Sequence, residues 1–166
     1  MINIRQMIKK DRKTILDMIV ETEMFTTAEV DVAMELVDIY LNNKNQKDYN
    51  IIVAEEENEV LGYACYGPTP ATEGAFDLYW IVVNPAHQNM GIGKKLLHYV
   101  EKKVFEAGGR LLVIETSSQQ KYIPTQKFYI NNDYKISAQI KDFYKPGDDR
   151  IIFTKYQKIN HSEGIN

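Results

Sequence analysis

The stretch "VVNPAHQNMGIGKKLL", residues 82–97, decides how the rest of the chain is read. An apolar run stops at Pro85. Gly91 and Gly93 then flank Ile92, and a basic segment with helical periodicity follows. A helix start leaves its first N–H groups without intrahelical partners, and the helix dipole adds partial positive charge there. Glycines let a bulky anion approach that backbone without Cβ clashes. The stretch therefore suits a pyrophosphate. A tight turn into a helix, with no ligand, uses the same residues. Two familiar phosphate loops do not fit. A Walker A loop needs glycine where Gln88 stands, and Ser or Thr after the Gly-Lys pair. A dinucleotide fingerprint needs a third glycine at Leu96.

Working outward, the apolar run before Pro85 begins in "AFDLYWIVV", too apolar for an exposed edge strand. Upstream, "YNIIVAEEENEVLGYACYG" reads as two strands around an acidic turn. Before these come a short strand in "INIRQM", a helix that Asp11 can cap, and a second helix. In that second helix Thr26 and Glu29 have capping-box spacing. Downstream of Pro85, Ile92, Leu96, Val100 and Val104 form an apolar stripe that ends at Gly108-Gly109. "RLLVIET" is a further buried strand, "SSQQKYIP" a loop and "TQKFYINN" a short helix. "YKISAQIKDFY" and "DRIIFTKY" close a hairpin over a Pro-Gly turn. The order is βααβββαβαββ: one mixed α/β domain over residues 1–157 and a polar tail over 158–166.

The chain has 166 residues, the length of one ordinary domain, and its 44% hydrophobic content can bury one sizeable core. A net charge of −3 shows no basic surplus, which argues against a nucleic-acid partner. The mild acidity suits a cationic substrate, and is equally ordinary for a cytoplasmic protein. Cys65 is the only cysteine, so an internal disulfide and a cysteine-based zinc site are excluded. It lies in an alternating strand-like run and reads as a buried thiol. No window reaches the ~18 apolar residues of a membrane span, and the start lacks an apolar signal core. A cytoplasmic location is expected. No His pair has metal-ligand spacing, so no metal is expected. His87, in the loop, His98, on the polar side of its helix, and His161, in the tail, are set aside as catalysts.

The stretch resembles the acyl-CoA-binding motif of the GCN5-related N-acetyltransferase (GNAT) family, whose pattern is Gln/Arg-x-x-Gly-x-Gly/Ala. Gln88, Gly91 and Gly93 match it, and Val83, Pro85 and the Leu96-Leu97 pair match its flanks. The order of elements agrees from Met1 to about Tyr156. The resemblance implies a GNAT fold: a mixed central sheet of about six to seven strands flanked by about four helices. It implies acetyl-CoA as cosubstrate. The backbone N–H groups of Gln88, Asn89, Met90, Gly91, Ile92, Gly93 and Lys94 would hold the pyrophosphate. The strand at Ile81, Val82 and Val83 would pair with the pantetheine arm. A second family motif places an Asn seven residues before a Tyr, with Ala between and Gly-Phe after. Tyr129 matches the Tyr, but Tyr122 stands at the Asn position, Thr125 at the Ala position, and Asp133-Tyr134 replaces Gly-Phe. The Asn contact is therefore not carried over; Tyr122, Thr125 and Tyr129 are expected beside the cofactor by their positions in this motif, with Tyr129 near the CoA sulfur.

Acetyl transfer from a thioester needs a neutral amine, a stabilised oxyanion and a leaving thiolate. An ammonium of lysine type loses its proton only near pH ~10.4, so a base helps. Asp77 lies eleven residues before Gln88, where some histone-type members carry a catalytic Glu. Glu115, near the end of "VIET", matches an acidic position that serves as base in some N-terminal acetylating members. Each is a candidate base, and a solvated strand-end carboxylate otherwise. A backbone N–H near Val82 or Val83 would donate to the oxyanion. Tyr129 would protonate the thiolate or hold it by hydrogen bond.

The acceptor is expected opposite the CoA. Segments rich in Glu21, Glu23, Glu73, Asp142, Asp148 and Asp149, with aromatic surface from Phe25, Tyr66, Phe143 and Tyr144, suit an amine-bearing acceptor. The resulting reading is an acetyl-CoA-dependent N-acetyltransferase acting by direct attack on a primary amine of a small molecule, amino acid or peptide. A homodimer is allowed. Two alternatives stay open: a non-catalytic acyl-CoA sensor or regulatory module of the same fold, and a nucleotide-binding protein.

Overall fold

The computed structural model describes residues 1–157, and the polar tail expected at 158–166 lies outside them. The elements are β1 (Asn3–Gln6), α1 (Arg12–Glu21), α2 (Thr27–Asn42), β2 (Asn50–Glu56), β3 (Glu59–Pro68), β4 (Ala75–Val83), α3 (Ile92–Glu106), β5 (Leu111–Ser117), α4 (Ile123–Ile130), β6 (Lys135–Lys145) and β7 (Asp148–Tyr156). The seven strands form one sheet in the order β1-β2-β3-β4-β5-β7-β6. Among the described residues only the β4–β5 pair is parallel. This is the mixed α/β architecture expected from the sequence.

Alternation along the strands builds two cores. Ile51, Val53, Tyr63 and Cys65 point to one face and pack with Ile15, Ile19, Ala33 and Val37 of α1 and α2. Ile52, Ala54, Ala64, Leu112 and Ile114 point to the other, against Leu96, Val100 and Val104 of α3. The predicted α3 stripe is thus fully buried. Gly62 of β3 lets α3 approach, because a Cβ there would lie 2.9 Å from the Val82 carbonyl oxygen and 3.1 Å from Leu96 Cδ1. Cys65 is buried as expected, and burial pushes its thiol up to about 12.

The Thr26–Glu29 capping box forms at the start of α2. Asp11 departs from its expected role. It precedes α1 but caps nothing there. Its carboxylate accepts from Ile8 N–H at 2.9 Å and from the Arg5 guanidinium at 2.7 and 3.0 Å, while Arg5 also pairs with Glu55. A buried charge needs such partners, and Arg5 is a better one than an exposed helix end. Helix α4 also begins earlier than expected, at Ile123. Pro124 sits in its first turn, where a missing N–H breaks no helical bond.

Candidate active site

The site is made by a split in the sheet. β4 and β5 pair only from Ala75↔Leu111 to Leu78↔Ile114. Beyond that point β4 runs on to Val83 and β5 to Ser117 with no ladder between them. A bulge at Tyr79, where the β3 register passes from Cys65↔Trp80 to Tyr66↔Leu78, re-aims β4 at the same place. Asn84 N–H bonds to the Leu61 carbonyl of β3 at 2.9 Å. Backbone groups alternate sides along a strand. Val82 therefore turns its N–H toward β3, whereas Ile81 and Val83 turn theirs into the split. Of the two oxyanion donors considered from the sequence, Val83 has the open orientation and Val82 does not. The Val82 side chain is buried on the α1/α2 face.

On the α3/α4 side of the split lies a groove of about 500 Å³. Ile81 and Val83 of β4 form its floor, and Gln88, Asn89 and Gly91 to Lys94 form one end. Asn84 orders the approach by accepting from Ala86 N–H at 2.9 Å across the turn at Pro85. Asn89 (φ 62°) and Gly91 (φ 77°) both adopt left-handed backbone. A Cβ on Gly91 would meet nothing within 4 Å, so glycine is needed there for conformation rather than for space. The first α3 bond is Lys95 N–H to the Gly91 carbonyl. The N–H groups of Asn89 to Lys94 have no protein acceptor among the described residues. Gln88 also lines the groove, and its N–H makes only a long contact, 3.5 Å, with the Pro85 carbonyl. Successive free N–H groups in such a turn, continued by a helix N-terminus, suit an anion. The donor set thus fits a pyrophosphate from Asn89 onward.

Helix α4 closes the groove with Pro124, Thr125, Phe128, Asn131 and Asn132. Of these only Thr125 was expected. Phe128 and Asn132 follow it at helical spacing, a signal that was present in "TQKFYINN". Met90 sits 59% exposed in the loop, outside the groove lining. Tyr122 and Tyr129 do not line it either. The Tyr122 hydroxyl donates to the Met24 carbonyl at 3.1 Å, beside Lys121 Nζ at 2.7 Å, tying the start of α4 to the α1–α2 loop. Tyr129 is 4% exposed among Phe128, Tyr134 and Phe153, and burial holds its phenol well above the ordinary range.

Both candidate bases lie on the opposite face of the sheet. Asp77 sits in the paired part of β4 and accepts from Thr69 Oγ1 at 2.7 Å. Glu115 lies one residue past the last β4–β5 pair and forms an ion pair with Arg150 of β7. The acid-rich acceptor surface needs two corrections. Asp148 is only 3% exposed, its carboxylate held by Ser117 Oγ and Gln119 Nε2 at 2.5 Å each. Burial alone would raise that carboxyl, and these hydrogen bonds hold it below its usual value. Tyr66 is buried on the α3 face. Phe25 packs edge-on against Trp80 at 5.1 Å, and Phe143 and Tyr144 remain exposed on the last hairpin.

The profile of the acetyltransferase (GNAT) family matches residues 16–129, which contain the split, the turn and α4 up to Tyr129. The chain belongs to the GNAT family. A GNAT-family protein from Desulfovibrio desulfuricans of known crystal structure is 43% identical, with a TM-score of 0.91 over 94% of this chain and 99% of that one. A Salmonella typhimurium acetyltransferase structure, yncA with its cofactor acetyl-CoA, shares the fold at TM-score 0.71 and 19% identity, covering 99% of both chains. The L-methionine sulfoximine/L-methionine sulfone acetyltransferase of Salmonella typhimurium is 33% identical over 73 residues, 43% of each chain. The match thus spans less than half the length of that curated relative. Among the described residues no group of three or more His, Cys, Asp or Glu could hold a metal ion. No helix among them is long and apolar enough to cross a membrane.

Proposed function

We propose that this GNAT protein moves an acetyl group from acetyl-CoA to the primary amine of a small molecule, amino acid or peptide by direct attack. The observation that carries this reading is continuity. One groove runs from the unpartnered N–H groups of Asn89 to Lys94 to the strand edge at Ile81 and Val83, and it opens at the split between β4 and β5. The turn would hold the pyrophosphate. Ile81 and Val83 would pair with the pantetheine arm as an added strand does, with Val83 N–H directed at the developing oxyanion.

Of the two carboxylates, Glu115 is the better placed as base because it stands at the mouth of the split, past the last β4–β5 pair, whereas Asp77 lies within the paired region. Tyr129 would serve the thiolate by a hydrogen bond rather than by giving up its proton. A thiol titrates near ~8.5, and the buried phenol holds its proton far more tightly. The relatives' activities, and the acetyl-CoA held by one of them, support the reaction class. The test is CoA release from acetyl-CoA across a panel of primary amines, amino acids and peptides. Amine-dependent release is expected. Acetyl-CoA binding with no release on any amine would refute the enzyme reading in favour of a sensor.

A further inference from the structure

On the face of the sheet away from the groove, Arg150 and Glu115 form a contact ion pair at the mouth of the split. The register explains it. Glu115 faces Ile152 and Ser117 faces Arg150, so the two charged residues are diagonal neighbours on one face. The guanidinium lies over the Phe143 ring, 4.8 Å from its centroid. It uses one terminal nitrogen on Glu115, while Nε is buried with no acceptor. An arginine offers five donors in a fork suited to two-point capture of a carboxylate. The remaining donors of this fork have no protein partner among the described residues.

A cation and an anion in contact are the mirror image of a zwitterion whose ammonium and carboxylate are also in contact. We propose that Arg150 and Glu115 read the carboxylate and the amine of an α-amino acid acceptor. This rests on the N-acetyltransferase reading and names the substrate class for it. On binding, Arg150 exchanges Glu115 for the acceptor carboxylate, and Glu115 takes the acceptor ammonium. One ammonium proton passes to Glu115 and on to solvent. The freed nitrogen pair forms the bond to the acetyl carbon, the carbon–sulfur bond breaks, and its electrons go to sulfur. The second amine proton ends on that sulfur. An amine without a carboxylate leaves the Arg150–Glu115 pair closed, so it loses kcat as well as KM. Phe143, against the guanidinium and with Tyr144 edge-on to it, offers an apolar wall to the acceptor side chain.

The test compares L-phenylalanine with phenethylamine, and L-leucine with isoamylamine, on the wild type, Arg150→Met, Arg150→Lys and Glu115→Gln. Each variant is first checked by thermal melting. The wild type is expected to favour the amino acid in kcat/KM by about thirtyfold or more, the effect of hydrogen bonds to a charged group. Arg150→Met should bring that ratio to about one, with Arg150→Lys between. Glu115→Gln should lower kcat on the amino acids. Calorimetric titration of L-phenylalanine into the CoA-loaded protein reads the site without turnover, and binding should be lost in Arg150→Met. A wild type that acetylates both partners of each pair equally overturns the proposal and leaves the enzyme reading intact. So does Arg150→Met with its preference unchanged. Amino-acid binding that depends on Arg150, with no turnover of any amine, upholds the site and refutes the enzyme reading.

Discussion

Gly91 separates the conformation of the turn from its charge. At φ 77° with open space around it, any L-residue suffers backbone strain but no clash. Left-handed backbone costs a non-glycine residue about 1–2 kcal/mol, partly offset by the lower entropy of its unfolded chain. Gly91→Ala and Gly91→Asp should therefore both lose about 1 kcal/mol of stability, a fall in Tm of about 2–4 °C for a chain of this size. Their cofactor affinities should diverge. A carboxylate about 5 Å from a phosphate charge, at an effective dielectric constant of about 20, is repelled by about 3 kcal/mol. Salt and side-chain rotation reduce this, which leaves a loss of about thirtyfold to a hundredfold for the aspartate. The alanine variant should stay within about fivefold of wild type, because its N–H groups keep their directions, if strained. Calorimetric titration of acetyl-CoA at two ionic strengths reads both, and the gap between the variants should narrow at high salt. Equal affinities for Gly91→Asp and Gly91→Ala would refute the placement of the pyrophosphate.

Gly93→Ala should retain acetyl-CoA binding, because a Cβ there only touches Phe128 and Val83 at 3.6 Å, whereas Gly93→Leu should fill the groove and abolish it in the same titration. Tyr129→Phe keeps the buried ring and removes only the hydroxyl, so turnover should fall about tenfold or more with acetyl-CoA affinity near wild type; full activity would remove Tyr129 from the chemistry. Tyr122→Phe should lose about 1 kcal/mol of stability through the hydrogen bond to Met24, with cofactor affinity unchanged, by melting and titration. Asp11 supplies a pH test. Burial alone would raise its carboxyl, but the bonds from Arg5 and Ile8 N–H hold it below the ordinary value. Its folded pKa lies under the unfolded value of about 3.9, so its stabilisation is full above that value and is lost as pH falls through the folded one. Asp11→Asn should thus cost about 2 kcal/mol in urea titrations at pH 7 and progressively less below pH 4.

What the sequence made legible was local. The turn at Pro85, Gly91 and Gly93, the α3 stripe, the α2 capping box and the two hairpins each depend on residues within a few positions of one another. What stayed hidden depends on partners far apart in the chain. Tyr122 was aligned with a cofactor position, yet its hydroxyl bonds to a carbonyl 98 residues away. Asp148 was counted as surface acidity, yet Ser117, 31 residues away, draws it inside. Asp11 has the composition of a helix cap, and Arg5 outcompetes the helix for it. Whether Val82 or Val83 offers its N–H could not be read from "WIVV", because the strand's phase is set by Asn84 meeting Leu61 of β3.

The same phase argument accounts for the opposite faces on which cofactor and acceptor are proposed to lie. A strand paired on both sides has no free N–H to offer, and a strand free along its length is an edge open to aggregation. β4 avoids both conditions. It pairs with β3 from Phe76 to Val83, interrupted at the Tyr79 bulge, and with β5 only as far as Leu78, beyond which the bulge turns it away. The free edge is therefore short, interior and flanked by α3 and α4 on one face. On the other face the diverging end of β5 carries Glu115 beside Arg150. Two ligands meeting at this opening would approach from opposite sides of one backbone layer, a geometry compatible with the direct attack proposed above. Restoring the ladder should close it. A disulfide between Ile81→Cys and Thr116→Cys, both on the groove face, would test this: if it forms in the folded protein, acetyl-CoA binding should fall in its oxidised form and return on reduction. Oxidised protein that binds acetyl-CoA as the reduced form does would show that the cofactor does not use the split.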